Sequence, residues 1–183
     1  VMEGQPVPNV TFKKRVRDES IGGDNPFKWI DQTTKDIFLA QRVLVFSLPG
    51  AFTPTCSTYQ VPGFVEQREA IKANGIDEIY VLSVNDSFVM RKWMLDQDAF
   101  GKIDFIPDGN GEFTEKMGML VDMTDVCFGK RSRRYAMIVD NGVIEKMFVE
   151  PDATDDDPDP YGETTPEAVL DYFNMLKADV VYG

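Results

Sequence analysis

Residues 42–64 read RVLVFSLPGAFTPTCSTYQVPGF, and the order of residue types in them decides the fold. Residues 42–48 are a near-continuous apolar run of strand length. A run without polar alternation fits a central strand buried on both faces. Pro49 and Gly50 end it. A loop leads to Thr55, and a helix is expected from Cys56 to Ala73, bent or started late by Pro62.

The alternation continues on both sides. Residues 9–16 read as a strand, and 18–26, with Gly22, Gly23, Asp24 and Pro26, as a loop. Thr33 and Thr34 can cap a short helix through Leu39. Residues 79–84 are a second buried strand. Asp86 can cap a helix whose Phe88, Val89, Trp93 and Met94 have amphipathic spacing. Residues 103–106 are a third apolar run and 108–111 a turn. Residues 134–139 and 143–149 flank Asp140-Asn141-Gly142, a hairpin signal. Residues 151–161 form an acidic loop, and 166–176 a last helix with Pro166 in its first turn. This order implies βαβ crossovers and a central sheet with helices on both faces, made mixed by the hairpin. A thioredoxin-like α/β fold fits, and from periodicity alone other doubly wound folds fit nearly as well.

The chain has 183 residues, 43% of them hydrophobic, which suits one domain over residues 1–183 with a full core. A net charge of -12 argues against nucleic acid and anionic membrane as partners. No apolar run approaches the roughly 20 residues that span a bilayer. Residues 1–16 are too polar for a signal peptide, so the cytosol is the expected compartment.

The sequence contains no histidine, which removes Ser-His-Asp and Cys-His catalysis and most zinc or non-haem iron sites. No metal and no cofactor is expected. Two cysteines, Cys56 and Cys127, do not make a disulfide framework. Cys56 follows a buried strand and opens a helix, where free N–H groups and the helix dipole favour a thiolate. A lone cysteine is more often inert and buried, but the strand-loop-helix position weighs toward chemistry.

The segment from Ser47 to Phe64 resembles the active-site motif of the peroxiredoxins, which is proline, three residues, threonine, two residues, cysteine. Pro49, Thr53 and Cys56 fill those positions. The string LPGAFTPTC is similar to the type II (peroxiredoxin 5) subfamily. The likeness continues through Ser83-Val84-Asn85-Asp86, residues 105–120 and residues 129–151, and so covers nearly the whole chain. It extends to the peroxiredoxin half of peroxiredoxin–glutaredoxin hybrids, although no glutaredoxin part lies within these residues. The resemblance implies a peroxidase that reduces hydrogen peroxide and alkyl hydroperoxides. It implies that Cys56 is the attacking thiolate, that Thr53 bonds it and the peroxide, and that Pro49 shields it from water. Arg134 would pair with the thiolate and polarise the peroxide. The backbone N–H groups of Thr55 and Cys56 would complete the pocket, and Phe128 would add to its apolar wall.

The chemistry agrees with these roles. A thiolate displaces one peroxide oxygen from the other, so fixed donors beside the leaving oxygen lower the barrier. An arginine offers several donors and keeps its charge. Without the resemblance, Arg134 reads as one of a solvated basic run, Lys130, Arg131, Arg133 and Arg134, and Thr53 as a turn hydroxyl.

The cycle needs a thiol to reduce the sulfenic acid. Many type II relatives carry a resolving cysteine after the VEP segment; here Val149-Glu150-Pro151 is followed by none. Cys127 is expected to be a buried structural thiol. A one-cysteine cycle resolved by glutathione or glutaredoxin is therefore expected, and a thioredoxin-dependent cycle through Cys127 is the alternative. Asp152, Asp155, Asp156, Asp157 and Asp159 lack calcium-loop spacing and read as a solvated loop. Met117, Met119 and Met123 read as packing. Type II relatives are often homodimers, which makes a homodimer the expected assembly. Two rival readings are a redox sensor that passes oxidation from Cys56 to a partner and a binding module without chemistry.

Overall fold

The computed structural model describes residues 2–182. Strand β3 (Arg42–Ser47) is central, as its apolar run requires. The sheet runs β5 (Asp104–Pro107), β4 (Glu78–Ser83), β3, β8 (Tyr135–Asp140), β9 (Val143–Val149). β3 pairs parallel to β4, and β4 to β5, while β8 runs antiparallel to both β3 and β9. The sheet is mixed for the reason expected: a hairpin needs only a tight turn, here Asn141 and Gly142 with φ of 48° and 81°.

Alternate residues of β3, and Leu48 just after it, enter two cores. Leu44, Phe46 and Leu48 pack with Phe64, Ile71, Trp93, Val169 and Phe173. Those partners come from α2 (Val61–Glu66), α3 (Arg68–Lys72), α4 (Ser87–Asp96) and α6 (Pro166–Tyr182). Val43 and Val45 pack on the other face with Phe12, Ile37, Phe38 and Phe113. These are from β1 (Thr11–Arg17), α1 (Thr34–Phe38) and α5 (Glu112–Lys116). The α/β layer with helices on both faces is the thioredoxin-like fold. No helix among the described residues is long and apolar enough to cross a membrane.

Three differences from the sequence reading have physical causes. Strand β2 (Phe27–Thr33) pairs with β1 as a separate hairpin where no strand was expected, because its half-exposed faces show no alternation. β6 (Leu120–Asp122) and β7 (Lys130–Ser132) form a second small ribbon, too short to leave a period. Third, the helix expected as one piece from Cys56 to Ala73 comes in parts: α-helical winding starts late, at Val61 beside Pro62, and α2 and α3 are separated at Gln67. The turn Cys56–Gln60 is wound as a π-helix, with Val61 N–H bonded to the Cys56 carbonyl, and Pro62 follows at the start of α2. A π-turn absorbs the missing donor locally.

Candidate active site

The π-turn places Cys56 at the carboxyl end of the central strand, facing Arg134 across the sheet edge. The helix is anchored by stacking of Phe64 on Phe46, ring centroids 4.2 Å apart, and by Trp93 Nε1–H donating to Ser57 Oγ at 2.9 Å. Its first backbone bond runs from Ser57 N–H to the Thr53 carbonyl, 3.0 Å. The N–H groups of Thr55 and Cys56 come before it, among the donors that a first helical turn leaves over. Cys56 itself is fully buried.

Thr53 Oγ1 lies 2.9 Å from Cys56 Sγ and 2.8 Å from the Gly50 carbonyl. Arg134 sits just before β8, and its Nη1 donates to Sγ at 3.3 Å. Nη1 also donates to Gln60 Oε1. Nη2 donates to both Asp159 carboxylate oxygens, at 2.8 and 3.0 Å. The Arg134 side chain is 3% exposed. Burial works against its charge, but a Cys56 thiolate and Asp159 outweigh burial and hold the guanidinium protonated more firmly than an ordinary arginine. Arg134 Nε and Gln60 Nε2 are buried and have no hydrogen-bond partner among the described residues.

Pro49 is half-buried at the mouth, and its carbonyl accepts from Arg131 Nη1 at 3.2 Å. A Cβ at Gly50 would meet that Arg131 nitrogen, the far end of a flexible side chain that would have to shift. Pro49, Thr53, Thr55, Cys56 and Arg134 thus gather in one place, and the reading of Arg134 as a solvated basic residue is overturned. The Phe128 ring is partly exposed and lies under Arg131, with 5.2 Å between guanidinium carbon and ring centroid. Cys127 is exposed rather than buried, since it ends a 3₁₀ turn in the left-handed region at φ 61°. Residues 151–159 are exposed as expected, but Asp159 turns back onto Arg134. No cluster of residues that could hold a metal ion occurs among the described residues.

Sequence reasoning missed Gln60 and Asp159. Gln60 carried a signal, being a lone polar residue one turn after Cys56 in an otherwise apolar stripe. Asp159 carried none, because nothing distinguishes it from its acidic neighbours.

Residues 2–163 match the family described as Redoxin. A peroxiredoxin of Rhizobium etli is 54% identical over 92% of this chain and 94% of its own length. The hybrid peroxiredoxin hyPrx5 of Haemophilus influenzae is 50% identical over 93% of this chain and 66% of its own length. The crystal structure of the Plasmodium falciparum antioxidant protein, a 1-Cys peroxiredoxin, superposes with a TM-score of 0.84 at 37% identity. That match covers 94% of this chain and 99% of the other.

Proposed function

The chain belongs to the Redoxin family, as a type II peroxiredoxin and hence a thiol-dependent peroxidase, and from that premise we propose that Cys56 reduces peroxides by a one-cysteine cycle. The observation that carries the reading is the Arg134 guanidinium, buried and 3.3 Å from Cys56 Sγ. Cys56 thiolate attacks one peroxide oxygen, the O–O bond breaks, and hydroxide or alkoxide leaves with the negative charge. Sulfur becomes sulfenic acid. Arg134 and the Thr53 hydroxyl bond the thiolate first and the departing oxygen later, where charge develops. Arg134 Nε and Gln60 Nε2 are further buried donors for a small oxygen ligand. In this reading the Thr55 N–H, left over at the helix start, adds a further donor, and Pro49 limits water at the mouth.

An external thiol then condenses with the sulfenic acid, releasing water, and a second thiol frees Cys56 by exchange. Glutathione with glutaredoxin is the proposed donor, supported by the hybrid relative; the one-cysteine form is supported by the Plasmodium structure. A second reading, thioredoxin reduction through Cys127, gains weight from the exposure of that thiol. A homodimer is proposed on family grounds, supported by the exposed Phe52, Val126 and Phe128.

The test is steady-state hydrogen peroxide consumption by wild type, Cys56→Ser and Cys127→Ser, with glutathione plus glutaredoxin or with thioredoxin. Turnover lost only in Cys56→Ser, with glutathione as donor, is the expected result. Loss in Cys127→Ser with thioredoxin makes Cys127 the resolver. Full activity in Cys56→Ser overturns the assignment.

A further inference from the structure

Both ends of the acidic loop are pinned close to Arg134. Glu150 is buried, and its carboxylate accepts from the N–H groups of Gly162, Glu163 and Thr164 at 2.9, 3.0 and 2.7 Å. The Thr164 hydroxyl adds a bond of 2.6 Å. One carboxylate thus ties the far end of the loop to its own starting point. Pro160 is buried, and the Tyr161 ring lies under the guanidinium, 5.7 Å from centroid to Arg134 Cζ. Asp159 is delivered between these anchors to Nη2, while its own side chain stays 43% exposed.

We infer that Asp159 is a positioning residue for peroxide reduction, holding the Arg134 guanidinium so that Nη1 stays on the reacting sulfur. This rests on the proposed Cys56–Arg134 chemistry. An arginine side chain has many rotamers, and only a second fixed contact sets the plane of its fork. Gln60 grips Nη1 alone and carries no charge. Asp159 grips Nη2 with both oxygens, which fixes the opposite edge. There is also a charge argument. Cys56 sulfur is negative only until it attacks, and the charge then leaves with the hydroxide. A buried cation left without a counter-charge is strongly unfavourable. Asp159 keeps Arg134 paired after the sulfur has become neutral. A loop aspartate that served only to fasten the loop would do neither.

Two reactions of the same thiolate separate these roles. Hydrogen peroxide needs the thiolate and an aligned donor for the leaving oxygen. Iodoacetamide needs the thiolate only. Both second-order rates are measured by rapid mixing in a Cys127→Ser background, where Cys56 is the only thiol. The variants are Asp159→Ala, Asp159→Asn, which keeps the shape of the side chain should the alanine fail to fold, and Asp156→Ala, which removes a charge from the same loop. We expect either Asp159 substitution to slow peroxide reduction by about tenfold or more relative to alkylation. Asp156→Ala should change neither rate by more than about twofold. A peroxide rate that stays near the parent value, or falls in proportion to alkylation, overturns the inference. Failure of the parent itself to react with peroxide would instead mean that the Cys56–Arg134 reading is wrong.

Discussion

Thr53 has one hydroxyl proton and two acceptors within reach, Cys56 Sγ and the Gly50 carbonyl. With the sulfur protonated, the thiol can donate to Oγ1 and the hydroxyl can turn to Gly50. With the sulfur as thiolate, the hydroxyl turns to the sulfur. Thr53 therefore exchanges one bond for another as the charge appears, at little cost. Thr53→Val keeps the shape and removes the proton. Stopped-flow oxidation by hydrogen peroxide should slow by about 10²-fold in Thr53→Val. Thr53→Ser should retain most of the rate, and an unaffected valine variant would remove the hydroxyl from the proposed mechanism. At this scale the sequence was informative where spacing carries meaning. Pro49, Thr53 and Cys56 were named because their spacing matches the peroxiredoxin motif, and Arg134 only through the wider resemblance, since its own neighbours read as a solvated basic run. Cys127 was misread because its apolar neighbours Val126 and Phe128 resemble a buried segment. The left-handed backbone at Cys127, φ 61°, instead belongs to an exposed turn.

Helix α6 is tied to the far edge of the sheet by a small polar group. Arg42 on β3 forks onto Glu145 of β9 at 2.9 and 2.8 Å, and Tyr172 of α6 donates to the same carboxylate at 2.7 Å. Burial works to raise the Glu145 proton affinity, but the bonds from Arg42 and Tyr172 outweigh it, and its pKa lies below the usual glutamate value. A folded-state pKa that is depressed stabilises the fold above the unfolded value, and the contribution fades as pH falls through the folded one. Glu145→Gln should therefore lower stability by about 1 kcal/mol at neutral pH. The gap between variant and wild type should close as urea melts are repeated at progressively more acid pH. A gap that is independent of pH would show that the carboxylate charge has no part in holding the element. The legibility of elements follows the same logic as that of residues. β3, β4 and β8 are buried on both faces and announce themselves as apolar runs. β2 lies on an exposed ribbon, alternates with nothing and went unseen.

Across the whole molecule, two cores on opposite faces of one sheet make a rigid platform, and the proposed reacting groups stand at the ends of its central strands. Cys56 comes from the helix after β3, Arg134 from the segment before β8, and these strands pair antiparallel with Ser47 beside Tyr135. The pairing register is what brings the two side chains together, 78 positions apart in the chain. The proposed homodimer belongs to this scale as well. Phe52, Val126 and Phe128 are 49%, 53% and 37% exposed, apolar side chains that contact with a second copy would cover. Light scattering should give a mass near twice the 20.7 kDa of one chain, and Phe52→Asp should reduce it to that of a single chain. A single-chain mass for the wild type would rule the assembly out.

By itself, the sequence determined the α/β layering and the central place of residues 42–48, while the proposed nucleophile and the residues around it followed from the resemblance to the peroxiredoxins. The layering depends on composition and spacing over a few turns or strands, where burial and helix geometry act locally. Only the tertiary structure decided that Arg134 is buried while its basic neighbours are not, that Cys127 faces outward, and that Asp159 alone among five nearby aspartates reaches the site. Those outcomes depend on strand register and on the Glu150 carboxylate that pins the loop. They join residues far apart in the chain, and no local pattern encodes such a distance.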